Sequence, residues 1–79
     1  MKYSNFEYNF ESGDFLEAAR IALDNAKRKT KPNSRNFWLE QLKICLLNLG
    51  LDEDEVSIKI KQVTQTGNFN SITKFMNRL

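Results

Sequence analysis

From Phe15 onward, apolar residues return every three or four positions, the period of a helix with one buried stripe. Phe15, Ala19, Ala22, Leu23 and Ala26 share one side of a segment that runs from Gly13 to about Lys29. Ser12, Gly13 and Asp14 supply capping residues in front of it, and Lys27, Arg28 and Lys29 suit the negative end of its dipole. The stripe is mostly alanine and therefore shallow, which lets a second helix approach closely. Thr30-Lys31-Pro32-Asn33 then interrupts the pattern, because proline disfavours helix in the residue before it.

A second helix is expected over 34–49, closed by Gly50 in the left-handed position past its end. At about 100° per residue, Trp38, Leu39, Leu42, Cys45, Leu46 and Leu49 fall on one face, while Phe37, Ile44 and Leu47 lie on the other side. A helix apolar on two faces is either central in its fold or shared with another subunit. Farther on, Val56, Ile58 and Ile60 alternate like a strand, whereas Val56, Ile60 and Val63 fit a helix. The start signals decide for a helix over 53–65: Asp52 with Glu55 three residues later forms a capping box, and the four acids 52–55 suit a helix amino terminus. This helix is expected to stop before Gly67. Asn70 or Ser71 then caps a last helix over 71–79, with Ile72, Phe75, Met76 and Leu79 on one stripe.

Residues 1–12 have a different period. Phe6, Tyr8 and Phe10 alternate with Asn5, Glu7, Asn9 and Glu11, as in a half-buried strand. An extended aromatic arm is expected there, lying over the core or adding to a partner's sheet. The fold expected from the pattern is all-α: one domain over 1–79, a small bundle of about four helices with that extended N-terminal arm.

Composition changes the picture mainly by exclusion. The 79 residues contain no histidine and one cysteine, so Ser-His-Asp and Cys-His systems, histidine bases and zinc sites of the usual ligand sets cannot be assembled. Cys45 has no intrachain disulfide partner and sits on the expected core face, where it acts as a small apolar residue with a raised thiol pKa. The acids Asp52-Glu53-Asp54-Glu55 point in successive directions on a helix and lack the spaced ligands of a calcium loop. Neither a phosphate-cradling loop nor a dinucleotide fingerprint is present. No catalysis, cofactor or metal is therefore expected. The longest apolar run, 44–47, is far too short to span a membrane, and no apolar stretch follows Lys2 as in a signal peptide, so a cytoplasmic location without membrane association is expected.

The net charge of +2, from 12 basic and 10 acidic residues, says less than its distribution. Lys27, Arg28, Lys29, Lys31 and Arg35 place five positive charges in nine residues with no acid among them. Such a cluster contacts phosphates or an acidic protein surface. A 79-residue domain buries roughly 60% of its unfolded surface, and its surplus of large apolar side chains adds a second expectation. Phe37, Ile44 and Leu47, with Phe6 and Tyr8 from the arm, would form an apolar interface to a protein partner or to a second copy in a homodimer.

Two short stretches resemble known families. Gly13-Asp14-Phe15-Leu16-Glu17-Ala18 followed by Ala26 resembles the second helix of a tetratricopeptide repeat. It covers half of one unit; the first-helix pattern and a second copy are missing, so a peptide-binding solenoid is not implied. The stretch 60–79, with Val63, Gly67, Phe69-Asn70-Ser71, Phe75 and Arg78, is similar to the last helix-turn-helix of arabinose-type transcription activators, departing from it where Asn68 intervenes between Gly67 and Phe69. That resemblance implies that Asn70, Ser71, Thr73, Lys74 and Asn77 face a major groove. The leading expectation is a small non-enzymatic protein-binding regulator or inhibitor of a larger assembly, of the phage or mobile-element kind. The alternative is a helix-turn-helix regulator that binds nucleic acid through the 27–35 segment and the C-terminal helix.

Overall fold

A computed structural model describes residues 2–79, with side-chain environments from Asn5 onward. Five helices follow one another: α1 Lys2–Glu11, α2 Phe15–Arg28, α3 Pro32–Asn48, α4 Glu53–Thr66 and α5 Asn70–Asn77. Among the described residues there is no strand.

The capping chemistry sets most of the boundaries. Asp14 accepts the Glu17 amide at 3.2 Å to start α2, and Asp52 accepts the Glu55 amide at 2.9 Å to start α4. α3 starts two residues before the expected Ser34, because Pro32 occupies the first helical position, where its missing N–H costs nothing. Gly50 and Gly67 hold positive φ values of 87° and 69° past the ends of α3 and α4. Neither Asn70 nor Ser71 caps α5. That task falls to Asn68, whose Oδ1 accepts the Asn70 amide at 2.8 Å.

The N-terminal segment is the main correction. Residues 2–11 are helix α1 rather than an extended arm. Phe6 and Phe10 each lie two residues from Tyr8 and four from one another, so they share one helix face as readily as one strand face. Packing selects the helix: the Phe6 ring meets Trp38 edge-on at 5.3 Å and Phe10 at 5.8 Å, and Phe10 meets Phe15 at 5.3 Å. With Phe37 edge-on to Trp38 at 5.3 Å, a chain of rings ties α1 to both α2 and α3. Tyr8, on the opposite face of α1, is exposed.

α2 and α3, joined by three residues, form an antiparallel hairpin with the most extensive helix contact in the molecule. Ala18, Ala19, Ala22 and Ala26 of α2 are fully buried, as are Leu42, Cys45 and Leu46 of α3. α1 folds back on α2, α4 returns along α3, and α5 packs on α4 and buries Ile72, Phe75 and Met76 in the common core, with Met76 at the cleft shared with α2. Burial pushes the Cys45 thiol up to about 11, as expected for a cysteine inside the core. Two polar groups inside the fold, Asn25 Nδ2 and Arg35 Nε, have no hydrogen-bond partner among the described residues.

This up-and-down order sorts the charges by end. The α1–α2 turn and the α3–α4 turn share one end, where residues 11–17 and 49–55 carry seven acids and no base. The other end gathers the α2–α3 joint and the α4–α5 turn, brought together where the Arg35 guanidinium lies beside Gly67, 3.8 Å from the position of an added Cβ. There the segments 25–36 and 64–74 carry Lys27, Arg28, Lys29, Lys31, Arg35 and Lys74, and no acid.

Candidate functional site

α4, the turn Gly67–Phe69 and α5 form a helix-turn-helix whose second helix divides cleanly into two faces. Ile72, Phe75 and Met76 are buried. Asn70, Lys74 and Asn77, spaced four and three residues apart, form the opposite, exposed stripe, and Arg78 continues it. Of the five residues expected to face a groove, these three are exposed together. Ser71 is half-buried and accepts a hydrogen bond from Lys59 Nζ at 3.3 Å, and Thr73 is half-buried against α2.

Cations stand on both sides of that stripe. On one side, a cleft of about 210 Å³ between α2 and α5 is lined by Arg20 and Lys27 together with Thr73 and Asn77. Asp24, in the same cleft, is paired with Arg28 at 2.9 Å, and Arg20 approaches Glu17 at 3.7 Å. Both pairs are solvent-exposed, so each is worth at most about 1 kcal/mol and yields readily to a stronger anion. On the other side, Lys59, Lys74 and Arg78 surround Ser71, with Glu55 as the one acid in that cleft. Neither Arg20 nor Lys59 stands out in the sequence. Each is a basic residue in a mixed segment and gains its meaning only from its nearness to α5.

Between α4 and α5 lies a groove of about 470 Å³, lined by Gln62, Thr66, Asn68, Asn70, Ser71 and Lys74. A relay of hydrogen bonds organises it: Thr66 Oγ1 donates to the Gln62 carbonyl at 2.7 Å and accepts the Asn68 amide at 3.1 Å, and Asn68 Oδ1 in turn accepts the Asn70 amide.

The basic joint is split. Lys27, Arg28, Lys29 and Lys31 are exposed, and Arg28, Lys29 and Lys31 line a hollow of about 190 Å³ with Thr30 and Ser34 at the start of α3. Arg35 is half-buried against the α4 carboxyl end, where its charge suits the helix dipole, so it braces the two hairpins. The expected apolar interface is also divided. Phe6 is buried against Trp38 and belongs to this chain's own core; Leu47 packs against that core, and Ile44 is half-buried. Of the five residues, only Phe37 and Tyr8 are exposed, at 46% and 74%, and they come from different helices.

The chain matches no family model, no curated protein and no solved structure. Among the described residues, no helix is long and apolar enough to cross a membrane, and no group of three or more acids and cysteines is placed to hold a metal ion.

Proposed function

We propose that this protein is a small non-enzymatic regulator that binds duplex nucleic acid by laying α5 against the major groove. The observation that carries the reading is the exposed Asn70–Lys74–Asn77 stripe flanked by cations from two other helices, Arg20 and Lys27 of α2 and Lys59 of α4. Duplex recognition needs both parts: side chains aimed at base edges, and positive charges on either side that meet the two phosphate ridges. An α-helix with its side chains is about 10–12 Å across, which the roughly 12 Å width of the major groove admits. The exposed cations of the α2–α3 joint lie at the α5 amino-terminal end and extend the contact along the backbone, while of the seven acids at the other end of the bundle Glu55 reaches the cleft beside the α5 carboxyl end.

Fluorescence anisotropy with a short labelled duplex, repeated over a range of salt concentrations, tests the reading. Each phosphate neutralised adds about −0.9 to the slope of log affinity against log salt. A flat salt dependence removes it, and equal binding to a polyglutamate chain replaces it by an acidic protein partner.

A second reading, the expected protein-binding surface, draws on Phe37, which is exposed on α3 two turns from half-buried Ile44. It fits a second copy of the chain. Light scattering of the protein and of Phe37→Asp at micromolar concentration tests it: a monomer in both cases ends this reading.

A further inference from the structure

The groove between α4 and α5 has a composition that selects among base pairs. Its lining includes three carboxamides, Gln62, Asn68 and Asn70, two hydroxyls and Lys74, with no carboxylate and no arginine. A carboxamide sets a donor group beside an acceptor. Adenine's major-groove edge presents the complement, the N6 amino donor beside the N7 acceptor, whereas guanine presents two acceptors and cytosine a lone donor. Paired hydrogen bonds from Gln or Asn are therefore made to adenine.

The three carboxamides are not equivalent. Asn68 commits its side-chain oxygen to the Asn70 amide, while its own backbone amide donates to Thr66 Oγ1, so it holds the turn. Gln62 and Asn70 engage in no side-chain hydrogen bond among the described residues, and both are exposed at the groove. Asn77 offers a further exposed carboxamide two turns along the α5 stripe. Lys74, which only donates, stands between Asn70 and Asn77 and suits a phosphate or a guanine.

Resting on the nucleic-acid reading above, we propose that the α4–α5 groove is an adenine-reading site, in which Gln62 and Asn70 are the specificity residues, Asn68 is a positioning residue, and the preferred target contains A·T pairs. Gln62 and Asn68 belong to this site through the fold alone: one comes from α4, the other from the turn.

Selection of binders from a pool of random duplexes, followed by anisotropy on the selected site, provides the test. Adenine is expected to be enriched. Replacing it by guanine, or by 7-deazaadenine to delete the N7 acceptor, should weaken binding about 5- to 150-fold per contact. Gln62→Ala and Asn70→Ala should each erase that discrimination at one position while leaving the salt slope unchanged. The two substitutions lie on different helices, and unchanged helical circular dichroism shows that each variant folds. A pool that binds with a steep salt slope but no base preference, or one enriched in guanine, overturns the adenine site and leaves the nucleic-acid reading standing. Absence of duplex binding overturns both.

Discussion

Between α2 and α3 the contact is made by fully buried side chains, four alanines on one helix against Leu42, Cys45 and Leu46 on the other. α4 and α5 contribute Val56, Val63, Ile72, Phe75 and Met76 to the common core and are bordered by a groove of amides, hydroxyls and a lysine. The first pairing holds the fold together, and the second presents chemistry to the outside. Small residues on α2 allow α3 to approach closely, while Gln62, Thr66, Asn70, Ser71 and Lys74 leave an open groove along the polar edge of α4 and α5.

The largest effect that separates the two regions is expected from Leu42→Ala. It deletes a fully buried side chain and costs about 2–5 kcal/mol, comparable with the roughly 3–5 kcal/mol that a core of this size supplies. Urea unfolding followed by circular dichroism should show a largely unfolded variant, whereas Lys74→Ala should stay within about 0.5 kcal/mol of the parent. Equal losses would mean that the α4–α5 groove is structural after all.

Alkaline pH probes the α2–α3 contact from inside. The thiol of Cys45 ionises near 9 when unfolded and near 11 when folded. Across that window the unfolded chain has lost a proton that the folded one retains, so stability falls as pH rises, by about 2–3 kcal/mol in total. Below about 9 the group contributes no pH dependence. Cys45→Ala should abolish this part of the slope, which the difference between the two proteins in urea titrations at each pH isolates.

Local signals at the second hairpin come next. Gly67→Ala should cost about 1–2 kcal/mol, because φ is 69° there, while the added methyl group meets the Arg35 guanidinium only at an ordinary 3.8 Å. Asp52→Ala should cost about 1 kcal/mol through loss of the cap on α4, read as a drop in melting temperature. The smallest change concerns binding alone: Lys27→Gln should lower the salt slope by about one phosphate and weaken all duplex sequences alike, unlike Asn70→Ala.

Much of the helical framework is legible in the sequence, because it rests on short-range chemistry. Asp14, Asp52 and the glycines at 50 and 67 act within a turn of their own positions, and the stripes of α2, α3 and α5 are largely buried, except that Leu49 and Leu79 lie past the helix ends and are exposed, and Pro32 opens α3 instead of breaking the chain before it. α1 is where the pattern misleads. Aromatic rings at Phe6, Tyr8 and Phe10 satisfy a period of two, yet Phe6 and Phe10 alone satisfy a period of four, and only contact with Trp38 decides between them. The candidate site is legible only in pieces. The basic joint and the α5 polar stripe can be named separately, but their presence at one end follows from α4 running back along α3. The same return takes Arg35 out of the basic cluster and brings Arg20 and Lys59 into the neighbourhood of α5.

The sorting of charge between the two ends has a consequence for motion as well as for contact. A net charge of +2 gives only a weak pull toward a polyanion. Seven acids at one end and a cluster of bases at the other make the molecule a strong electric dipole, however, and a dipole in a field is turned before it is drawn in. On the nucleic-acid reading proposed above, the field of a phosphate backbone would rotate the acidic end outward and present the α2–α3 joint and the amino-terminal end of α5 first, so that a larger share of encounters would begin in a productive orientation. On that reading the bundle would be aimed during its approach, by a torque that salt screens over about 10 Å at ordinary ionic strength.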